Sequence, residues 1–219
     1  MLTAGANSTV TVSGSNDVTT EGIWSTVTIG GTGDQDAAGT GTRITINGSD
    51  NTENGGTFLT VTDNGTDDQT TAGSASNLTV VGNNDTANVG GDSAATVRGD
   101  NDTVTVLASG DNTNMTFLGT ADVASVDGAN AAITDNGSGL HINIGSAGGA
   151  ISLSNLVSDP TAVIDLLGGV GGYTNTEQVL NALASDGHGG TLLSLGSSGS
   201  LDFINLPSTA LTATNFQIG

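Results

Sequence analysis

Short runs of alternating polar and apolar residues recur along the first two thirds of the chain, and each run ends in a turn-forming segment. Three early runs, at residues 9–14, 26–31 and 43–48, align with one another, and their central apolar residues are 17 positions apart. Alternation with a period of two is typical of a half-buried β-strand. The Gly, Asn and Asp residues that follow tolerate the positive φ angles of tight turns. The pattern therefore predicts one strand and one turn in each unit.

A shorter period is present in the middle of the chain, where apolar residues recur every 8 to 10 positions. Two of these half-units make a coil of about 17–18 residues, in agreement with the earlier spacing. A single coil cannot bury its apolar face, but a stack of coils can. The sequence thus predicts an all-β fold, a parallel β-solenoid of the β-roll or β-helix kind over residues 1–149, with a β-sandwich as the alternative. Because an apolar run arrives early at Leu59, we expect coil lengths to vary within residues 47–76. The periodic apolar residues are Val80, Val89, Val97, Val106, Met115, Val123, Ile133 and Ile142.

The composition adds a strong negative charge to this picture. The 219 residues include 22 Asp and Glu but only 2 Lys and Arg, which gives a net charge of −20. Such a charge repels nucleic acids and anionic membranes, so we expect neither as a partner. Divalent cations are the expected partners instead, since hard cations prefer oxygen ligands.

The chain contains no Cys and only 3% aromatic residues, so neither disulfides nor a core of large side chains can hold it together. A thin core of stacked aliphatic residues suits a solenoid. High charge with few aromatics is also typical of disordered chains, but a mean hydropathy of +0.02 and the periodic apolar residues favour a folded one. No N-terminal leader and no apolar run of membrane-spanning length are visible, so membrane insertion is not expected.

Two segments, residues 81–89 and 98–106, share the pattern G-x-N-D-x-x-x-V. They resemble the nonapeptide repeats of the RTX, or haemolysin-type, β-roll of type I secreted proteins, in which Ca²⁺ binds between Gly- and Asp-containing turns. The resemblance implies Ca²⁺ as a cofactor. Asn-Asp turns also have a simpler explanation, because their side chains stabilise turns by Asx hydrogen bonds. The candidate metal ligands are Asp85, Asp92, Asp100 and Asp102.

The sequence changes character near residue 150, and residues 150–219 are expected to form a small mixed α+β cap on the solenoid. Residues 159–168 begin with Asp-Pro and end with Gly, which predicts a short helix. A second helix is expected after the capping box at residues 174–177. Two apolar runs within residues 191–206, separated by a Gly-Ser turn, predict a β-hairpin.

The end of the chain resembles the C-terminal region of many type I secreted surface and haemolysin-type proteins of Gram-negative bacteria. The matching segments are residues 185–195, 201–203 and 215–218, within roughly the last 70 residues. The resemblance implies an uncleaved C-terminal secretion signal and a secreted, extracellular or cell-surface location. A capping role alone is the alternative, and both roles are compatible. The implied signal residues are Asn215, Phe216, Gln217 and Ile218.

No constellation of catalytic residues is visible in the sequence. His141 lies within an alternating strand and His188 within a Gly-rich turn, and neither has a Cys, G-x-S-x-G or H-E-x-x-H neighbour. Parallel β-helix enzymes that cleave acidic polysaccharides need cationic side chains, and this chain offers only Arg43 and Arg98. We therefore expect a protein that is not an enzyme.

The first repeat is expected to leave an open strand edge, because the ends of a solenoid carry unpaired backbone N–H and C=O groups. A second copy can pair with such an edge head to tail, and a contact of this kind need not close, so it propagates a fibre. The leading expectation is a secreted homopolymer that forms filaments, matrix or a surface layer with the help of Ca²⁺. Residues 1–7 folding over the edge, or a longer parent protein, are the alternatives. The assembly edge comprises Ser8, Thr9, Val10, Thr11 and Val12.

Pairs of threonines in the pattern T-x-T suggest a different function. They lie at residues 9–11 and 26–28, one coil apart, and again at residues 103–105. A regular outward array of Thr can order water or meet a flat ligand, as expected of a Ca²⁺-dependent adhesin or an ice-binding β-solenoid. Thr is also common on any solvent-facing strand. Interruptions of the array are expected at Arg43, Leu59 and Met115.

Overall fold

The chain winds into two β-sheets that face each other across a narrow interior. The structure is a computed structural model, and it describes residues 1–107, 112–127, 130–145 and 149–219. Sheet A contains eleven strands and sheet B contains twelve. Successive strands alternate between the sheets, so each coil contributes one strand to each of them. The predicted all-β parallel solenoid is confirmed.

The strands are numbered in chain order, and up to β19 the odd ones belong to sheet A and the even ones to sheet B. Sheet A consists of β1 (Leu2–Ala4), β3 (Val18–Glu21), β5 (Gln35–Ala38), β7 (Thr52–Gly55), β9 (Gln69–Ala72), β11 (Thr86–Val89), β13 (Thr103–Val106), β15 (Val123–Val126), β17 (His141–Ile144), β19 (Val163–Leu166) and β23 (Phe216–Ile218). Sheet B consists of β2 (Thr9–Val12), β4 (Thr26–Ile29), β6 (Arg43–Ile46), β8 (Thr60–Asp63), β10 (Asn77–Val80), β12 (Ala94–Val97), β14 (Thr113–Phe117), β16 (Ala131–Asp135), β18 (Gly149–Ser154), β22 (Gly199–Phe203), β21 (Thr191–Ser194) and β20 (Ala184–Ser185).

Equivalent strands of successive coils are 17 residues apart through the first half of the stack; Thr60, for example, pairs with Asn77. The spacing is 20 between β12 and β14 and 18 between β14 and β16. The expectation of variable coil lengths within residues 47–76 is therefore wrong. The apolar alternation that marks most other strands is absent from β7, because Glu53 and Gly55 occupy its inward positions. The repeat is therefore not apparent from hydrophobic residues in this part of the sequence.

Sheet B supplies most of the apolar interior of the early coils. Its inward residues Val27, Ile29, Ile44 and Ile46 have no exposed surface. Complete burial of a side chain of this size contributes roughly 1.5–3 kcal/mol. Because β2, β4, β6 and β10 each add two apolar inward residues, the stack gains stability from each of these coils.

Sheet A changes character along the stack. From β11 onward its inward residues are apolar, as at Val104 and Ile142. In β3, β5, β7 and β9, by contrast, several inward side chains carry oxygen atoms, yet each is at most 4% exposed. Since both faces of these strands are largely polar, hydrophobic periodicity alone does not reveal them. The buried polar residues are Thr19, Glu21, Asp36, Glu53 and Thr70.

Two kinds of corner connect the sheets. The corner that follows each sheet B strand is rich in Gly and Asp, and we call it the acidic corner. The corner that follows each sheet A strand is rich in Gly, Ser and Thr, and we call it the neutral corner. A Cβ atom on Gly82 or Gly99 of the acidic corner would overlap the carbonyl oxygen of the glycine one coil earlier, so only Gly permits this close stacking. The acidic corner comprises residues 13–17, 30–34, 47–51, 64–68, 81–85 and 98–102, and the neutral corner residues 5–8, 22–25, 39–42, 56–59, 73–76 and 90–93.

The two sheets continue past residue 149. β18 and β19 extend them in parallel, and β22 and β23 are added later in the chain. β21 pairs antiparallel with β22, which confirms the hairpin predicted within residues 191–206, and β20 pairs antiparallel with β21 at the end of sheet B. The helix predicted for residues 159–168 is wrong. This segment contains β19, because Ile164 and Leu166 point inward and alternate with half-exposed neighbours.

The second predicted helix is confirmed as α1 (Thr176–Ala182). Its N-cap is Asn175, whose Oδ1 accepts a 2.9 Å hydrogen bond from the Gln178 backbone N–H. Within the described ranges, no helix is long and apolar enough to cross a membrane. The short 3-10 helices are Leu156–Ser158, Leu167–Gly172, Gly196–Ser198, Ser208–Ala210 and Ala213–Asn215.

Candidate cation site and threonine face

In most acidic corners, one side-chain carbonyl or carboxylate oxygen accepts a hydrogen bond from a backbone N–H of the preceding coil. Oδ1 of Asp34 accepts a 2.8 Å hydrogen bond from the Asp17 backbone N–H, and Oδ1 of Asn51 accepts a 2.9 Å bond from Asp34. Oδ1 of Asp68 accepts a 2.7 Å bond from Asn51. The same bond recurs at later coils and joins neighbouring coils through a column of side chains, which we call the aspartate ladder. Its further members are Asp85, Asp102 and Asp122.

The second carboxylate oxygens of the ladder lack partners. Oδ2 of its aspartates from Asp34 onward is buried and has no hydrogen-bond partner in the described part of the chain. Burial raises the pKa of Asp85 to about 6 and that of Asp102 to about 7, although each carboxylate also accepts a backbone N–H that opposes the shift. Buried carboxylate oxygens without a hydrogen-bond partner favour binding of either protons or a cation.

Asp63 adds a carboxylate to this column from the end of β8. It stands in register with Ile46 and Val80, so it replaces an apolar inward residue. Its Oδ1 accepts a 3.1 Å hydrogen bond from the Gly65 backbone N–H. Burial, followed by the charge of Asp85, raises the pKa of Asp63 to about 8.

Three carboxylates meet at this point, and one oxygen from each of Asp63, Asp68 and Asp85 lies within 4.8 Å of the others. All three side chains are at most 2% exposed, and Oδ2 of both Asp68 and Asp85 is unpartnered among the described residues. An all-oxygen set of this kind suits Ca²⁺ or Mg²⁺. We regard these three residues as the candidate cation site.

A related arrangement occurs near the end of the stack, where the sequence T-D-N-G of residues 62–65 is repeated at residues 134–137. Asp135 Oδ1 accepts a 2.9 Å hydrogen bond from the Gly137 backbone N–H. Burial raises the pKa of Asp135 to about 6, helped by the charge of Asp159. The repeated T-D-N-G, with Asp at an inward strand position, is the sequence signal that could have drawn attention to Asp63.

The four metal ligands predicted from the sequence are divided between two corners. Asp85 and Asp102 are adjacent rungs of the aspartate ladder. Asp100 lies on the same corner, where its Oδ1 accepts 2.8 Å bonds from both the backbone N–H and the hydroxyl of Thr120. Asp92 is exposed on the neutral corner. The structure thus brings Asp85 and Asp102 together, leaves Asp92 apart, and adds Asp63 and Asp68, which periodicity did not single out.

A second cluster of carboxyl groups lies inside the first coils. Asp36 contacts Glu53 in the next coil and Glu21 in the previous one, and the Thr19 hydroxyl donates a hydrogen bond to it. Burial and the neighbouring Asp36 raise the pKa of Glu21 to about 8 and that of Glu53 to about 10, while hydrogen bonds from both glutamic acids hold the pKa of Asp36 below its ordinary value. Glu21 and Glu53 therefore remain protonated at neutral pH, and each acid can donate its proton to the Asp36 carboxylate, since the carboxyl oxygens of both have no other hydrogen-bond partner among the described residues.

The solvent face of sheet B carries a straight column of threonines, which we call the threonine face. Eight Thr residues occupy consecutive positions in register and are followed by Ser154. From Thr11 to Thr116 their hydroxyls make no side-chain hydrogen bond within the described residues. Among the residues that the structure describes, the outward positions of sheet A form no such column. The members are Thr11, Thr28, Thr45, Thr62, Thr79, Thr96, Thr116 and Thr134.

The expected interruptions of this array need correction. Leu59 and Met115 are 1% exposed and point inward, so they do not break the face. Only Arg43 stands on the outer surface, in the neighbouring column between Thr26 and Thr60. Both residues are the first apolar residue of their run, and in this fold that residue points into the core.

The two ends of the stack differ. The predicted assembly edge, residues 8–12, coincides with β2, and no strand lies beyond β1 or β2 among the described residues. At the other end, the predicted secretion signal, residues 215–218, belongs to the fold. Phe216 is buried and packs edge to face on Phe203, with ring centroids 6.2 Å apart. Helix α1 contacts β23, and its Val179 has no exposed surface.

The threonine face and the candidate cation site lie on one continuous stack, the first on sheet B and the second at the corner where sheet B strands end. None of the family models, curated proteins or solved structures compared with the chain matches it.

Proposed function

We propose that the protein is a secreted binding solenoid whose threonine face engages ice, and the unbroken column of eight threonines on sheet B is the observation that supports this best. The register of a parallel sheet repeats the hydroxyls every 4.8 Å or so. The sheet holds them rigidly, and their methyl groups limit competing water structure. Ordered water bound in this repeat can merge with an ice surface.

Free hydroxyls are essential to this proposal. Thr residues that serve only β-propensity are scattered over both sheets, whereas these occupy one column without a gap. Because the hydroxyls from Thr11 to Thr116 have no side-chain partner within the described ranges, they remain available to water.

Thermal hysteresis and ice recrystallisation inhibition test the proposal. We expect the wild-type protein to show both activities and a Thr79→Tyr variant to lose most of them, since a bulky ring in the middle of the threonine face prevents close contact. Thr71→Tyr is the matched control, because Thr71 points outward from sheet A. Absence of activity in the wild type, or equal loss in both variants, contradicts the proposal.

A second candidate function is head-to-tail assembly into extracellular filaments, matrix or a surface layer. The observation that favours it is the pair of strands β1 and β2, whose outer backbone groups have no strand partner among the described residues. The Thr26 N–H bonds to Ser8 and the Gly30 N–H to Val12, so the alternate residues Thr9 and Thr11 direct their backbone groups to the open edge.

Sedimentation and electron microscopy, with and without EDTA, test assembly. We expect polymers for the wild type and none for Thr11→Pro, because Pro removes an outward N–H without breaking a bond to β4. Thr11→Val keeps that N–H and serves as the control. A monomeric wild type under all conditions, or polymers of Thr11→Pro, contradicts assembly through this edge.

Ca²⁺ is the proposed cofactor of either function. It would be held by Asp63, Asp68 and Asp85, whose buried oxygens lie within 4.8 Å of one another. There it would neutralise repulsion between carboxylates and join two coils of the stack. The RTX-like turns and C-terminal segment support the same view of a secreted, Ca²⁺-assisted protein.

A further inference from the structure

Two large aromatic side chains are exposed on the neutral corner at equivalent positions two coils apart. Trp24 is 58% exposed and Phe58 is 60% exposed. Their backbones lie in the left-handed region, with φ angles of 60° and 59°. Gly41 holds the equivalent position in the coil between them, and a Cβ there would overlap the indole ring. The indole of Trp24 therefore lies over Gly41, on the side toward Phe58.

These aromatic residues are costly choices for their positions. The left-handed conformation is unfavourable for bulky side chains and easiest for Gly, Asn and Asp. Other coils place small or polar residues at this point of the corner. Burial does not compensate for the strain at Trp24 and Phe58, because both rings are mostly exposed. Strain combined with exposed apolar surface indicates a functional role. The residues at this point in other coils are Asn7, Ala75, Asp92 and Asn112.

The coil between the two aromatic corners carries one of the two cationic side chains of the protein. Arg43 is exposed on β6, in register with Thr26 and Thr60 on the strands that follow the two aromatic corners. The three corner segments that carry these residues contain no Asp or Glu, although the chain has a net charge of −20. The patch thus combines two aromatic faces with hydrogen-bond donors.

We propose that this patch binds a neutral polysaccharide chain lying along the solenoid axis. The backbones of Trp24 and Phe58 are two coils, about 10 Å, apart at the usual strand spacing of about 4.8 Å. Because the indole reaches over Gly41 in the coil between them, the two rings lie next to each other along the axis, and each can face a sugar of the same chain. Aromatic faces pack against the C–H face of a sugar, while the guanidinium of Arg43 and the hydroxyls of Thr26 and Thr60 bind sugar hydroxyl groups. An anionic polymer is disfavoured by the charge of the whole protein.

A second copy of this chain suits the patch less well. A stable protein interface buries about 800 Å² on each partner, and the aromatic patch spans only three coils along a narrow corner. Its dimensions fit a single extended polymer chain.

Intrinsic fluorescence offers a direct test, because Trp24 is the only Trp in the protein. We expect cellohexaose or maltohexaose to change the Trp24 emission in a saturable way, and oligogalacturonate to leave it unchanged. Phe58→Asn should weaken binding at least tenfold while leaving the melting temperature equal or higher, since Asn accepts the left-handed conformation. Val157→Ala removes another exposed apolar side chain and should leave binding unchanged.

Failure of both neutral oligosaccharides to perturb Trp24 overturns the proposal, as does unchanged affinity in Phe58→Asn. Concentration-dependent dimers that disappear in Phe58→Asn would identify the patch as a protein interface instead and equally overturn it. Thr79→Tyr should leave sugar binding intact, so this result is independent of the function proposed for the threonine face.

Discussion

Glu53 has no exposed surface, and burial next to Asp36 raises its pKa to about 10. Glu21, on the other side of Asp36, has its pKa raised to about 8 for the same reasons. In the unfolded chain both groups lose their protons near pH 4.5, the ordinary Glu value. The folded protein therefore keeps protons that the unfolded chain releases. The stability contributed by these two carboxyl groups is complete below pH 4.5 and is lost as pH rises through about 8 and 10.

Glu53→Gln is expected to remove the alkaline part of this loss. The amide can donate to Asp36 as the protonated acid does, so the variant should resemble the wild type near pH 4.5. Between pH 7 and pH 10, in EDTA, its melting temperature should exceed that of the wild type by a growing margin. One pKa unit corresponds to about 1.4 kcal/mol, and each kcal/mol shifts the melting temperature by about 2–4 °C in a protein of this size.

The control for this prediction is Asp92→Asn, which neutralises an exposed carboxylate on the neutral corner. Its melting temperature should follow the wild type at every pH. Parallel curves for the wild type and Glu53→Gln up to pH 10 would show that the cluster does not hold its protons in the folded state.

Asp63 is the residue through which a cation site can be tested. Asp63→Val restores the apolar residue found in register in neighbouring coils. Burial raises the pKa of Asp63 to about 8, so without a cation this carboxyl group destabilises the folded protein at neutral pH. Val removes the group, and in EDTA the variant should melt at a higher temperature than the wild type. At a concentration 100 times its Kd, Ca²⁺ should stabilise the wild type by about 2.7 kcal/mol and so raise its melting temperature. The melting temperature of the variant should not change.

The matched control is again Asp92→Asn, which lies outside the candidate cation site and should keep the full Ca²⁺ response. A full response in Asp63→Val would move the site elsewhere on the aspartate ladder. If Ca²⁺ does not change the melting temperature of the wild type, the three carboxyl groups bind protons and not Ca²⁺.

At the scale of the strand and corner, the columns of equivalent residues determine what each coil tolerates. A Cβ at Gly82 would overlap the carbonyl oxygen of Gly65 in the coil before it. We expect Gly82→Ala to lower stability by about 1–3 kcal/mol, the usual result of overpacking, as measured by chemical denaturation. Gly5→Ala is the control, because a Cβ there meets nothing within 4 Å. Equal stability of the two variants would contradict the close stacking of the acidic corner.

The same scale explains how the threonine face arises. Successive side chains of a strand point to opposite faces, so T-x-T places both threonines on the solvent side and the residue between them in the core. A spacing of 17 residues keeps this phase through the six coils from Thr11 to Thr96, and the longer coils at β14 and β16 keep it for the last two members.

At the scale of the whole molecule, each coil contacts mainly its neighbours, and stability is approximately a sum of local terms. In the early coils the inward residues of sheet A include the polar Thr19, Glu21, Asp36 and Glu53, whereas from β11 onward the inward residues of sheet A are apolar. Local unfolding should therefore begin in the early coils. Hydrogen exchange, corrected for intrinsic rates, should show weaker protection in β3, β5 and β7 than in β13, β15 and β17, with a wider gap at pH 9 than at pH 6. Uniform protection at both pH values would show that the stack unfolds as one unit.

The sequence was sufficient to predict the strand-and-turn unit, the 17-residue coil of the first half of the stack, the parallel stacking and the positions of α1 and the C-terminal hairpin. These follow from local rules, since the period of two and the turn residues act within a few positions of the chain. It failed at residues 159–168, where Asp-Pro and Gly indicated a helix but Val163–Leu166 joins sheet A. There the unpaired edge of β17 outweighed the helix signals.

Which residues meet depends on contacts between coils that are distant in the sequence. Asp63, Asp68 and Asp85 come together because a 17-residue coil places one corner above the next. Glu21, Asp36 and Glu53 are buried because sheet B covers them, and no local pattern distinguishes a polar residue that points inward from one that points outward. The threonine face is likewise a property of the register between coils, since each strand contributes a single member to the column.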